Sequence, residues 1–465
     1  MTPRDFRMGF RGGYTFRGFE GTAQASLYEA EIPSSVRIPL VFAGTPLTVT
    51  KTAGETVSAG ESLLSSEKSE SITLPSPING TIAEITDEYI ELSGNGTTSF
   101  SRHPDHTRAP WHLDKNEAFS RFAASGGLVL FNGAVASPED AAVVRTIVVN
   151  AVHNGPLDNA WKPGVTGGTH EFANGIRTLE TLFPDASKVI GVNTKNAGFY
   201  RAADIAERAN VAVLSDKYPQ EHDRLIVRDT IGTTLVAPDG SRDHSILVLS
   251  HFDVFQAGEI LTTGRPLIDR IVMVAGPGVS RPGWYRVRIG TPFADIKRTL
   301  FKSEERIPWR IIRGNVFEGN VLEDVDEAFT EPADNTVSVI REEATRTLFR
   351  FMLPMFAQDS YPVVTAAKAL PFLPKRLDSN VHGGVRPCVQ CNYCDEVCPV
   401  GIYPHIIWKH VTVDSVEQCF RFRPFDCVGC GLCDYVCPSK IAISGAVAEA
   451  STVYRNTRKT DEAAD

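Results

Sequence analysis

The sequence predicts a chain of several domains, of mixed α/β and α+β class, on three observations. Short alternating apolar runs fill residues 37–86. Strand-like and helix-like segments alternate from about Gly126 to Gly278. Eight of the nine cysteines fall into two tight groups between Cys388 and Cys437. A length of 465 residues allows roughly three domains of ordinary size. Hydrophobic residues make up 42 % and charged residues 22 %, the balance of a soluble globular chain. The net charge of −9 argues against nucleic acid or an anionic lipid surface as a partner. Residues 1–20 are followed by no apolar core of a secretion signal, and no run of about 18 apolar residues appears. The most apolar stretches, 348–356 and 363–373, are broken by Arg350, Pro354, Lys368 and Pro371. A soluble or peripheral protein is expected.

Residues 1–125 form the first expected domain. Within it, Gly54-Glu-Thr-Val-Ser-Ala-Gly60-Glu and the later Ser76-Pro77-Ile-Asn-Gly80 are turn signals between short strands. These stretches resemble the barrel-sandwich hybrid fold of biotinyl and lipoyl domains. Lys68, in Ser66-Glu67-Lys68-Ser69, stands close to where a lipoyl domain carries its modified lysine. The reading preferred here is a solvated lysine at a hairpin tip, because a fold does not carry its function with it.

Residues 126–275 read as a Rossmann-like α/β domain. Strands are expected at 145–152, 189–192, 211–214, 246–249 and 271–274. Helices are expected at 169–182, capped by Thr169, and at 201–209. Such alternation implies a mainly parallel sheet. No G-x-G-x-x-G opens a helix after a strand and no Walker A motif is present. Gly164-Val-Thr-Gly-Gly168 precedes a helix and reads as a loop, with a phosphate site as the other reading. Residues 276–375, beginning Gly276-Pro277-Gly278 and including Trp284-Tyr-Arg-Val-Arg-Ile-Gly290-Thr-Pro292, resemble a small β-grasp domain of the soluble-ligand-binding (SLBB) kind.

Residues 376–446 hold the chemistry. Cys388, Cys391, Cys394 and Cys398 precede Pro399; Cys427, Cys430, Cys433 and Cys437 precede Pro438. Each group is C-x₂-C-x₂-C-x₃-C-P, the pattern of α-helical ferredoxin-type domains with two [4Fe–4S] clusters. Three cysteines on a tight loop wrap one cubane, and the fourth opens a short helix and points to the other. The expected ligands are therefore Cys388, Cys391, Cys394 and Cys437 for cluster 1, and Cys427, Cys430, Cys433 and Cys398 for cluster 2. Zinc, the alternative metal, pairs two C-x₂-C knuckles rather than this run. Grouped thiolates of this kind point to a reducing compartment. Gly431 is expected to let the loop approach the sulfurs, Cys419 to be a buried structural thiol in a helical stretch 402–420, and residues 447–465 to be a loose polar tail.

The order of parts resembles a family that joins two respiratory-complex subunits: the A subunit of the sodium-translocating NADH:quinone oxidoreductase (Nqr) and the C subunit of the Rnf ferredoxin:NAD oxidoreductase. Several stretches resemble the A subunit: Val149-Asn-Ala-Val-His-Asn-Gly-Pro-Leu157, Phe172-Ala-Asn-Gly-Ile-Arg-Thr-Leu179, Asp253-Val-Phe-Gln-Ala-Gly-Glu-Ile-Leu-Thr-Thr-Gly264, Asp269-Arg-Ile-Val-Met-Val-Ala-Gly-Pro277 and Gly383-Gly384-Val-Arg-Pro387. The cysteine domain looks like that of the C subunit, whereas a typical A subunit lacks these cysteines. The C subunit's G-R-G-G-A-x-F-P loop for flavin and NADH is missing, which argues against FMN here. The resemblance implies an iron–sulfur electron-transfer subunit of an ion-translocating, quinone-linked oxidoreductase. Such a chain would lie at the cytoplasmic side of the inner membrane, held by integral membrane subunits. It implies ferredoxin or another redox protein as a partner, quinone as a further cofactor with no residues assigned, and no catalytic residue of the chain's own. The alternative is a soluble flavin-dependent iron–sulfur dehydrogenase.

Overall fold

A computed structural model describes residues 10–66, 72–102, 110–158, 160–302, 308–343, 359, 361, 375–379 and 384–464. Lys68, Gly383 and the apolar stretches 348–356 and 363–373 lie outside the described residues. The chain is a mixed α/β structure with four sheets and a ferredoxin-like C-terminal domain.

The N-terminal region builds two four-stranded antiparallel sheets. One runs Ser35–Pro39, Tyr89–Gly94, Gly80–Ile85, Thr56–Val57. The other runs Val41–Phe42, Thr45–Val49, Ser62–Ser66, Thr73–Pro75. Period-2 alternation sets which side faces in: Val36 and Ile38 are buried, and their neighbours Ser35, Arg37 and Pro39 are half-buried. Leu63, Leu74, Ile82, Ile90 and Leu92 complete this core.

The central sheet is wholly parallel, in the order Asn210–Leu214, Ser187–Asn193, Thr146–Ala151, Ile246–Ser250. The helices Thr169–Leu182 and His251–Thr263 supply its apolar cover through Phe172, Ile176, Leu179, Val254 and Leu261. Thr169 is the first residue of its helix, and Gly168 holds the cap position. The helix expected at 201–209 is reduced to one turn, Ala203–Ala206, because Ile205 is its one buried anchor and a single turn is all that it secures.

The strand expected at 271–274 is present as Asp269–Ala275, but it does not join the parallel sheet. It pairs antiparallel with Gly283–Arg288 inside a six-stranded mixed sheet. Every one of its residues is buried, and a continuous apolar run reads the same in the middle of either kind of sheet. That sheet also takes Leu27–Glu29, from the other end of the chain, as its edge strand.

The C-terminal segment departs furthest from expectation. The supposed polar tail at 447–465 is helical through Ala464, within a helix Ile443–Ala464. Val447 and Ala450 are buried on one face, and Tyr454 meets the rings of Phe420 and Phe425 at 5.1 and 4.4 Å. Sparse apolar residues at helical spacing suffice when the surface they cover lies within the same domain. The stretch expected to be helical at 402–420 divides into the helix Pro404–Thr412 and a 3₁₀ segment Val416–Phe422.

The start of the chain is woven into its end. Gly13 donates its N–H to the Val397 carbonyl at 2.9 Å, and Tyr14 and Tyr218 exchange backbone bonds, both at 2.9 Å. The Tyr14 hydroxyl donates to Asp359 at 2.6 Å, Tyr435 donates to the same carboxylate at 2.9 Å, and Lys375 Nζ reaches it at 2.8 Å. The Asp359 and Lys375 side chains are 1 % and 9 % exposed, so each charge depends on the other. Replacing one member of a buried pair typically costs about 3–5 kcal/mol. Asp359→Ala is expected to lower the denaturant midpoint by a corresponding amount. The double variant D359A/K375M, which removes both charges, is expected to recover a substantial part of that loss in a double-mutant cycle.

Candidate iron–sulfur site

The two cysteine runs fold as copies of one loop. Gln390 and Gly429, two residues after the first cysteine of each run, both have positive φ (55° and 78°). So do Asn392 and Gly431, two residues further on (60° and 69°). Gly431 thus serves the left-handed turn. A Cβ added there would meet Phe317 at 3.3 Å, so the expected close approach to sulfur is not its role. Each loop leads into one helical turn, Tyr393–Glu396 and Leu432–Tyr435, and then Pro399 or Pro438.

An aspartate follows the third cysteine in both copies. Asp434 accepts the N–H groups of Ile443 and Ser444 at 2.6 and 2.8 Å, and also bonds the Ser444 hydroxyl. It therefore caps the start of the last helix. Asp395 lies 3.0 Å from His405 Nδ1, at the start of the helix Pro404–Thr412. The pairs Cys394-Asp395 and Cys433-Asp434 stand at matching places in the sequence, and that repetition is the signal by which these two residues could have been found.

The fold brings the eight cysteines to two adjoining cavities. Cys388, Cys391, Cys394 and Cys437 line the first, with Trp408, Ile441 and Ile443. Cys398, Cys427, Cys430 and Cys433 line the second, with Val428, Leu432 and Val447; Cys394 also reaches its wall. Their empty volumes, counted with the solvent at their mouths, are ≈ 370 and ≈ 380 Å³, the near-equality expected for two copies of one group. In each, the fourth cysteine comes from the other run. Cys419 lies apart, buried, with its sulfur 2.8 Å from the Val416 carbonyl. The glycine-rich stretch 164–168 does not join the cysteines. The Glu171 carboxylate lies 2.9 Å from where a Cβ on Gly168 would stand, so the helix N-terminus already carries its anionic group.

Burial pushes the thiols of Cys398, Cys427, Cys430 and Cys433 above the ordinary cysteine range. Cys394 is pushed up to about 12, by burial first and then by Asp395. So many desolvated sulfurs in one place favour the thiolate form only when a cation is among them. A donor set of sulfur alone selects zinc, copper(I) or iron–sulfur over hard cations. Asp395, His405 and Cys394 place ligand atoms within 4.8 Å of one another, but the carboxylate and imidazole are engaged with each other. The residues present therefore fit an iron–sulfur group in each cavity.

The surroundings of the two cavities differ. The loop of the first is open: Val385 and Val389 are 76 % and 66 % exposed. The loop of the second is held by the parallel-sheet domain. Arg224 Nη1 donates to the Cys427 carbonyl at 2.7 Å and Nη2 to Phe425 at 3.2 Å. Arg228 donates to Pro399 at 3.1 Å, and the Tyr218 hydroxyl donates to Cys430 at 2.8 Å. Nothing in the sequence marks these three residues, since each acts through a carbonyl more than a hundred residues away.

Comparison with known proteins agrees with this geometry. Residues 387–441 match the 4Fe-4S dicluster domain. The chain is 24 % identical over 386 residues to the A subunit of the Na(+)-translocating NADH-quinone reductase of Cellvibrio japonicus, covering 81 % of this chain and 83 % of that one. Further relatives are A subunits of the same reductase. The Marinomonas protein is 22 % identical over 388 residues, with the same shares covered. The Actinobacillus pleuropneumoniae serotype 5b protein is 25 % identical over 381 residues, covering 78 % and 80 %. Among solved structures, an NAD+-reducing [NiFe]-hydrogenase in the air-oxidized state overlaps 52 % of each chain at 15 % identity, with a TM-score of 0.37. The relatives and the dicluster domain support an iron–sulfur oxidoreductase subunit of the Nqr/Rnf-like kind. No helix among the described residues is long and apolar enough to cross a membrane.

Gly12 joins the N-terminal strap to this site. It has a φ of 67°, and an added Cβ would stand 2.6 Å from the Cys398 carbonyl and 2.7 Å from the Val397 backbone. Gly12→Val is expected to cost at least about 1–2 kcal/mol from the left-handed backbone alone. The thermal midpoint and the iron retained per chain should both fall, which melting and iron analysis of the purified variant would check.

Proposed function

We propose that this chain is a peripheral iron–sulfur electron-transfer subunit of a membrane-bound, ion-translocating, quinone-linked oxidoreductase, with two [4Fe–4S] clusters. The observation that carries the reading is the exchange of fourth cysteines between two cavities of nearly equal size. It supports Cys388, Cys391, Cys394 and Cys437 as one ligand set and Cys427, Cys430, Cys433 and Cys398 as the other. When bound, such a group takes up or gives off one electron at a time. The chain's own residues hold it as thiolates, exclude water with Ile441, Ile443, Leu432 and Val447, and fix the loops through Asp395 and Asp434.

The remaining domains serve as docking bodies in this reading. The N-terminal pair of sheets corresponds to the barrel-sandwich hybrid, the parallel sheet to the Rossmann-like domain and the six-stranded sheet to the β-grasp domain. The A-subunit relatives supply the context: integral membrane subunits as partners, quinone as the linked cofactor, and a place at the cytoplasmic side of the inner membrane. Ferredoxin or another redox protein is the expected electron partner.

Cys391→Ser is expected to lower iron and acid-labile sulfide from about eight to about four of each per chain, and to destabilise the C-terminal domain, because metal binding is folding energy there. Unchanged iron and sulfide would refute the ligand sets. An anaerobic affinity pull-down from mildly solubilised membranes is expected to recover several integral membrane subunits, with quinone-linked activity lost on removal of this chain. Recovery of the chain alone, holding flavin and reducing an acceptor unaided, would instead establish the soluble dehydrogenase.

A further inference from the structure

The two cysteine loops have nearly the same backbone but not the same electrostatic neighbours, and this difference bears on which cavity favours the electron. We propose that the arginine face of the helix Asp223–Ile231, Arg224 foremost, raises the reduction potential of the inner site formed by Cys398, Cys427, Cys430 and Cys433, so that this site is reduced before the outer one. The proposal rests on the reading that each cavity holds a [4Fe–4S] cluster.

Reduction adds one negative charge to the group that the cysteines hold, the electron coming from any one-electron donor; no proton or bond is exchanged. A fixed cation nearby favours the reduced form, the more so where water is excluded. Arg224 meets both conditions. Its guanidinium is half-buried and forks onto the carbonyls of Phe425 and Cys427, at 3.2 and 2.7 Å. Asp426, the acid nearest to it on the loop, is paired with Arg423 at 2.7 Å. Arg228 stands one turn further along and reaches the Pro399 carbonyl, but Asp229 bonds it at 2.6 and 3.1 Å and offsets its charge. Arg224 is therefore the cation on this helix whose field acts on the inner site least opposed.

The outer site has cations as well, in a different setting. Arg386 donates to the Pro438 carbonyl at 2.5 Å, and Lys440 lies close to Cys437. Arg386 and the loop beside it are exposed, so water and salt screen that charge. Asp395 adds a negative charge next to Cys394. Asp434 next to Cys433 is the matching acid of the inner site, but two backbone N–H groups and a hydroxyl are already bonded to it.

The test is an EPR-monitored potentiometric measurement on the whole chain, after iron and sulfide analysis. The outer couple is identified as the one lost in Cys391→Ser. Arg224→Gln is expected to lower the inner couple by about 59 mV or more, a tenfold change in the ratio of reduced to oxidised form for one electron, leaving the outer couple in place. Arg224→Lys keeps the charge and should restore most of the shift; Arg386→Gln should not reproduce it. Asp229→Asn leaves the Arg224 hydrogen bonds intact and unmasks Arg228, so it should move the inner couple upward even if Arg224→Gln loads poorly. Fully loaded variants with both couples unmoved, or a lysine variant that behaves like the glutamine one, would overturn the proposal. A wild-type chain without iron and sulfide would overturn the cluster reading beneath it.

Discussion

A single buried carboxylate ties together parts of the chain that have no sequence neighbourhood in common. Asp359 receives Tyr14 from the N-terminal strap, Tyr435 from the helical turn after the second cysteine loop, and Lys375 from the segment between the sheets and the cysteines. A buried ion pair of this kind adds little net stability when compared with apolar side chains of the same shape. Its value lies in arrangement, since a charge with one well-placed partner tolerates no alternative packing. Around it Tyr14, Phe16, Tyr218, Phe317 and Tyr435 stack with ring centroids 4.9–5.7 Å apart. These rings fill the seam between the cysteine domain and the sheets, and give that seam the density of a core.

The cysteine domain shows how far a repeat constrains structure and where it stops. Both copies keep the left-handed residues, the aspartate after the third cysteine and the proline after the fourth. These features fix how a short loop turns and how the next helix begins. Beyond the loop the copies diverge. The first faces outward with Val385 and Val389 exposed, while the second is covered by Arg224, Arg228 and Tyr218. Two sites with matching ligands therefore have different dielectric surroundings and different fixed charges, the quantities that set electronic properties once the ligands are given.

Much of this was legible in the sequence, for identifiable reasons. The cysteine spacing is a local geometric requirement, so the grouping of side chains could be read from it directly. The strands at 146–151, 187–193, 210–214 and 246–250 were legible because β-branched runs separated by helical periodicity leave few alternatives. The strand Asp269–Ala275 was visible as a strand but not by its sheet, because burial on both faces erases the difference between parallel and antiparallel company. The helix Ile443–Ala464 was hidden because its apolar residues are few and widely spaced among polar ones. The contacts of Gly12, Tyr218 and Arg224 were not legible at all: a glycine's tight packing and an arginine's choice of carbonyl depend on chain segments hundreds of residues away.

The Tyr14–Asp359 bond spans 345 residues, and Gly13 rests on Val397, still further along. At ordinary translation rates of about 5–20 residues per second, that separation takes on the order of tens of seconds to synthesise. During this interval the strap, with Phe16 and Phe19, is made but has nothing to cover it. The cysteine domain emerges last and closes over a segment that was made first. Completion of the metal site is thus a late event in the life of each molecule, and a nascent chain halted before its final helix would leave the ribosome with an uncovered aromatic seam and no finished place for iron.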